Sequence, residues 1–82
     1  MLFCMTPEQR TEGLLREVRA EMGRQGVNMT RLSESTGISQ PALSRKLRGE
    51  SPLLITEALR IADVLHVTIP TLLGRVDDMA AT

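Results

Sequence analysis

The chain is poor in the residues from which several kinds of functional site are built. It has no Trp or Tyr and a single Phe, so an aromatic stacking platform for single-stranded nucleic acid is close to excluded. With one Cys and one His, Cys4 and His66, it can form neither an internal disulfide nor a zinc site of Cys and His ligands. No apolar run approaches the roughly 18 residues that a membrane span needs. Residues 1–5 are apolar but too few for a signal peptide, so we expect a cytoplasmic protein.

The size of the chain limits both its architecture and its chemistry. Its 82 residues have room for one domain, and 41% of them are apolar, which suffices for a single small core. Such a core is only marginally stable, and without a disulfide or a metal site, dimerisation is the expected additional support. The sequence has no nucleophile–base pair, no set of metal ligands and no Gly-rich phosphate loop. We therefore expect neither an enzyme nor a cofactor, and no small-molecule ligand is evident.

Charge is unevenly distributed along a chain whose formal net charge is zero. Residues 24–49 carry five basic side chains and one acidic side chain, whereas the segments before and after them have net charges of −1 and −3. A basic centre between acidic flanks is typical of a nucleic-acid footprint with repulsive ends. Chance scatter in a short chain would give the same pattern, so charge alone does not decide between the two interpretations.

Capping residues and apolar spacing predict an all-α domain. Thr6, Pro7 and Gln9 form a helix start of the capping-box type, and apolar residues then recur at helical spacing from Leu14 to Met22. No stretch alternates between apolar and polar residues for long enough to predict a strand. Five helices are expected, over residues 7–24, 29–36, 40–48 and from 54 or 56 to 65, followed by a short helix that Thr68 caps and Gly74 ends.

These helices also define the expected limits of the domain. Residues 6–74 contain all of the helical signals and form the predicted domain. Residues 1–5 are expected to be a flexible N-terminus, and residues 75–82, which follow a glycine and include three charged side chains, a flexible C-terminal tail.

Residues 28–49 carry the pattern of a helix-turn-helix. Two short amphipathic helices meet at Gly37-Ile38-Ser39, where glycine adopts a positive φ at low cost. In this arrangement the second helix enters the major groove of DNA, and the first helix crosses the backbone. The expected inward side chains are Leu32, Ile38, Leu43 and Leu47, and the outward ones on the second helix are Gln40, Pro41, Ser44, Arg45 and Arg48.

The segment resembles the recognition half of a lambda-repressor-like (Cro/XRE-type) DNA-binding domain. The resemblance rests first on residues 37–49, which read Gly-Ile-Ser-Gln-Pro-Ala-Leu-Ser-Arg-Lys-Leu-Arg-Gly. Residues 59–68 are similar to the family's fourth helix and the turn into its fifth, and residues 72–74 match its usual end. The resemblance covers residues 10–74 and implies the five-helix lambda-repressor-like fold with a central helix-turn-helix.

The resemblance also implies roles for individual side chains. Gln bonds adenine and Arg bonds guanine in a bidentate manner, and helix N-termini bind phosphate through backbone N–H groups. The chain departs from the family pattern at Met29, where Gln is frequent, and at Pro41 and Ala42, which stand in place of polar residues and could touch a thymine methyl group. The implied base-reading residues are Gln40, Pro41, Ser44 and Arg45, and the implied phosphate contacts are Asn28, Arg31, Ser39, Lys46 and Arg48.

Considered residue by residue, several of these side chains have a simpler interpretation. The basic residues at 45, 46 and 48 could form a solvated face, because positive charge is favourable near a helix C-terminus. Gln40 could be merely a polar residue of the first helical turn. Arg31 could interact with Glu34 or Ser35 of its own helix rather than with phosphate.

The function implied is that of a sequence-specific transcriptional regulator that binds double-stranded DNA, most simply a small Cro-like phage or bacterial repressor on an operator. The alternatives are a protein-interaction module of the same fold and an antitoxin-type autoregulator. Because a single motif buries little surface, a homodimer on a pseudo-palindromic operator is expected. Its interface is predicted to use some of the apolar residues that the core pattern does not need, namely Leu53, Leu54, Ile69 and Val76.

Overall fold

A computed structural model describes residues 6–81, with the environments of side chains as far as Asp78. This part of the chain contains five helices and no strand, which confirms the expected all-α fold. No helix within it is long and apolar enough to cross a membrane. The helices are α1 (Pro7–Gln25), α2 (Met29–Thr36), α3 (Gln40–Leu47), α4 (Ile55–Val64) and α5 (Ile69–Ala81).

Local sequence signals account for the first helix. The Thr6 hydroxyl accepts a hydrogen bond from the Gln9 N–H at 3.1 Å, and the Thr6 N–H donates to Gln9 Oε1 at 2.9 Å. Pro7 occupies the first turn, where its missing N–H costs nothing. At the other end Gly26 closes the helix in the left-handed conformation, with φ 68°. The helix therefore begins and ends within one residue of the limits that the sequence predicts.

A single core joins all five helices. Leu32, Leu43 and Leu47, three of the four inward positions predicted for the helix-turn-helix, are at most 1% exposed, and Ile38 is 8% exposed. They pack with buried residues of the other helices, namely Leu15, Val18, Met22, Ile61, Leu65 and Leu72. Because α2 and α3 each have only eight residues, this shared burial rather than helix propensity holds them in place.

The fifth helix differs from the expectation at its C-terminal end. It does not stop at Gly74 but continues to Ala81, so the helix end expected at Gly74 is wrong, whereas the flexibility expected of residues 75–82 stays a prediction. Val76, a proposed dimer contact, is 3% exposed and lies against Gly13 of α1, where a Cβ on that glycine would come within 2.7 Å of Val76 Cγ1. Burial of this turn offsets the low helix propensity of Gly74. The expectation for residues 1–5, and for Thr82, lies outside the described residues.

A cluster of charged side chains forms a second contact between α1 and α5. Glu21 of α1 is 8% exposed, and its carboxylate accepts hydrogen bonds from Gln25 at 2.9 Å, Arg75 at 2.8 Å and Arg24 at 2.9 Å. The bonds from Gln25, Arg75 and Arg24 lower the pKa of Glu21 to about 2, despite its burial. Gln25 also donates to the Leu65 carbonyl at the end of α4. The first and fifth helices are therefore tied together by a charge-assisted hydrogen bond, and the neutral amide of Gln25 links the first helix to the end of the fourth.

Two glycines of α1 provide a matched test of the α1–α5 packing. In Gly23→Ala the added Cβ would have no atom of the rest of the structure within 4 Å. The variant should therefore raise the free energy of unfolding by about 0.5–1 kcal/mol, because alanine has the higher helix propensity. Gly13→Ala should lower it by about 1 kcal/mol, because overpacking against Val76 outweighs the same propensity gain. Urea unfolding of both variants measures the difference. Equal stabilisation by both would mean that α5 does not lie against Gly13.

Candidate nucleic-acid interface

The turn between α2 and α3 is held by side chains of α2. Gly37 has φ 78° and donates its N–H to the Ser33 carbonyl at 2.9 Å, which ends α2. The Ser33 hydroxyl donates to the Ile38 carbonyl, and the Thr36 hydroxyl donates to the Leu32 carbonyl at 2.7 Å while accepting the Ile38 N–H at 3.4 Å. These bonds hold the backbone of Ile38, so that its apolar side chain is buried between the two helices. Sequence reasoning missed the contribution of Thr36, which is 4% exposed.

Helix α3 presents a polar face opposite its buried one. Leu43 and Leu47 point into the core, and their spacing sets the rotation of the helix. Positions 41, 44, 45 and 48 then share one face, since residues three, four and seven apart lie above one another on a helix. The predicted base-reading residues Gln40, Pro41 and Arg45 are exposed, and Ser44 is half-buried.

Gln40 is held by a contact that sequence reasoning did not anticipate. Its Nε2 donates to the hydroxyl of Thr30 on α2 at 3.0 Å, so the first residue of α3 is linked to the first turn of α2. One amide hydrogen and the amide oxygen of Gln40 are left over, which are the groups that bidentate bonding to adenine requires. The ten-residue separation spans the turn, so no local pattern in the sequence could have revealed this pair.

The predicted phosphate contacts surround the same face. Asn28 begins α2, where its side-chain oxygen accepts the Arg31 N–H at 2.8 Å and its amide nitrogen remains available as a donor. Ser39 precedes α3, is exposed and makes no capping bond with its side chain. Arg48 forms an ion pair with Glu50 at 2.6 Å in which both side chains are more than half exposed. Exposed pairs of this kind contribute about 0–1 kcal/mol, so phosphate could displace Glu50 at little cost.

Lys46 has a different environment from the other basic residues of the helix. Its Nζ lies 2.6 and 2.7 Å from the two carboxylate oxygens of Glu57 on α4, and each side chain is only 15% exposed. Glu57 also accepts the Leu54 N–H at 3.0 Å. The hydrogen bond from Lys46, and to a lesser extent the one from the Leu54 N–H, holds the pKa of Glu57 below its usual value. Sequence reasoning assigned Lys46 to phosphate, whereas the structure gives its ammonium group an internal partner.

The ion pairs change the electrostatic character of the basic segment. Arg24 pairs with Glu21, Lys46 with Glu57 and Arg48 with Glu50. In residues 6–78 no carboxylate lies within ion-pair distance of Arg31 or Arg45, so the alternative pairing of Arg31 with Glu34 is not found. Two exposed, unpaired guanidinium groups are therefore placed on the helix-turn-helix, one on each helix.

Comparison with known proteins agrees with this geometry. No curated protein and no solved structure matches the chain. A family model described as the Cro/C1-type helix-turn-helix DNA-binding domain matches residues 17–78, which include the C-terminal half of α1, all of α2, α3 and α4, and most of α5. With the helix-turn-helix in place and most of its length matched, the chain belongs to the Cro/C1-type helix-turn-helix DNA-binding domain family.

Proposed function

We propose that the protein is a sequence-specific transcriptional regulator, and specifically a repressor that binds an operator in double-stranded DNA. The observation that carries the proposal is the exposed face of α3, where Pro41, Arg45 and Arg48 stand opposite the buried Leu43 and Leu47 and Gln40 is exposed at the start of the helix. Membership of a DNA-binding domain family supports it. The protein acts in the cytoplasm by occupying the operator and excluding polymerase, as a binding protein rather than an enzyme.

The proposed complex places α3 in the major groove with its N-terminal end towards the bases. Gln40 bonds adenine, Arg45 bonds guanine through O6 and N7, and Pro41 contacts a thymine methyl group. Ser44, being half-buried, reaches only a base edge that approaches closely. Backbone phosphates are bound by Asn28, Arg31, Ser39 and Arg48, which fix the register of the helix without reading the sequence.

The experiment that tests this function is selection of bound sequences from a random duplex pool. We expect recovery of one conserved sequence that contains adenine and guanine at the positions facing Gln40 and Arg45. Failure to enrich any sequence, together with no binding of random duplex at low salt, would reject DNA binding. Enrichment without a conserved sequence would reject sequence-specific regulation.

Arg45 and Arg48 should differ in how they contribute to binding of the selected duplex. Arg45→Ala should cost roughly 1–3 kcal/mol on the selected sequence and relax the preference at one base pair. Arg48→Ala should weaken selected and random DNA alike and flatten the slope of log affinity against log salt by roughly one unit. Titration of both variants against single-base variants of the duplex separates the two behaviours. An unchanged ranking of bases with Arg45→Ala would contradict its proposed role.

We also propose that two copies bind a pseudo-palindromic operator as a homodimer. The apolar α4 surface, formed by Leu54, Ile55 and Leu59, supports the proposal, because these side chains are 61%, 80% and 51% exposed. Of the interface residues that the sequence suggested, Leu54 belongs to this surface, Ile69 is partly buried, Leu53 packs against the core, and Val76 is inside it.

The dimer is tested at Ile55, which is the most exposed of the three residues of this surface. Ile55→Gln should weaken association of two copies on the selected duplex, since it removes apolar area from the proposed contact. Ala20→Gln, at an exposed position of α1, is the control and should leave association unchanged. Sedimentation at micromolar concentration, with and without duplex, measures the stoichiometry. One protomer per saturated duplex, with no inverted repeat in the selected sequence, would exclude the dimer.

A further inference from the structure

The Lys46–Glu57 pair joins α3, the helix proposed to recognise DNA, to α4 across the loop of residues 48–54. Lys46 is the penultimate residue of α3 and Glu57 is the third residue of α4, so the contact connects the end of one helix to the start of the other. In residues 6–78 it is the only hydrogen-bonded or ionic contact between the side chains of these two helices. The intervening loop contains Gly49 in the left-handed conformation, at φ 80°.

The geometry of the pair is unfavourable for a phosphate contact by Lys46. Both carboxylate oxygens of Glu57 lie within 2.7 Å of the ammonium nitrogen, and both side chains are mostly buried. To reach phosphate, Lys46 would have to leave a mostly buried carboxylate without its cation, which is strongly unfavourable. As a pair the two residues have no net charge, so they release no counterion when DNA binds.

We propose that Lys46 and Glu57 are positioning residues, which fix the recognition helix against α4 and act on DNA affinity only through the placement of α3. The inference rests on the function proposed above. Ser44 and Arg45 directly precede Lys46. A shift or rotation of the C-terminal end of α3 would therefore displace these two side chains from the bases that they are proposed to contact. Glu57 anchors the contact because it also accepts the Leu54 N–H and thereby fixes the first turn of α4.

Glu57→Gln distinguishes positioning from simple electrostatics by the sign of its effect. Removing a negative charge from a protein that binds phosphates should strengthen binding if Glu57 acts only through its field. Loss of positioning should instead weaken binding of the selected duplex by roughly tenfold, the scale of one lost base contact. Glu50→Gln is the matched control, since it removes an exposed acid of the same loop region that pairs with Arg48 at the surface. The affinity of Glu50→Gln for the selected duplex should stay unchanged or increase.

Lys46→Met tests the other member of the pair. The salt dependence of its DNA binding separates the loss of a phosphate contact from the loss of positioning. The variant keeps an apolar stem of similar length but removes the charge. We expect weaker binding with an unchanged salt slope, because no phosphate contact is lost. The double variant Lys46→Met with Glu57→Gln should bind no more weakly than either single variant, since both changes remove one shared interaction. This double variant leaves no unpaired buried charge, so it stays informative if Glu57→Gln does not fold.

All affinities are measured on the full chain, at a temperature where circular dichroism gives the same helicity for every variant that is compared. Equal or tighter binding by Glu57→Gln would overturn the positioning role. A salt slope flattened by roughly one unit in Lys46→Met would overturn it as well, because that result assigns Lys46 to phosphate. Absence of binding by the unmodified chain to any duplex would reject the proposed function itself, which keeps the two failures separate.

Discussion

Burial of Leu43 and Leu47 is the constraint on which the candidate interface depends. Helix α3 is only eight residues long and has no side-chain cap at its start, so it is stable only while these two leucines remain in the core. Because they are four residues apart, their burial also fixes the rotation of the helix. The exposed positions follow from that rotation, so the same contacts that stabilise the domain determine which side chains of α3 face outward.

Much of this arrangement can be predicted from the sequence because its signals are local. The capping box at Thr6 and Gln9, the Asn28 cap and the glycine at 37 each act within four residues, and each forms the bond that its residue type favours. Apolar spacing is similarly local, which is why the inward residues of the helix-turn-helix could be identified. The limits of α2 follow from such signals alone.

The errors concern contacts between distant residues. Gly74 is a reasonable helix end by propensity, but packing of Val76 against Gly13 extends α5 beyond it. Contacts of Gln40 with Thr30 and of Lys46 with Glu57 cross a turn or a loop, so their partners depend on how the helices pack. Composition likewise identifies the basic segment, but it does not reveal which of its cations already have carboxylate partners.

Internal pairing of cations has a consequence for how the protein searches a genome. Random DNA attracts a protein through its unpaired positive charges, and here Arg31 and Arg45 are the two of the central segment that lack a carboxylate partner in residues 6–78. In the complex proposed above, this pairing would reduce the electrostatic contribution of the central segment to the binding of unrelated sequences. The proposed base contacts of α3 would then carry more of the discrimination between the operator and unrelated sites.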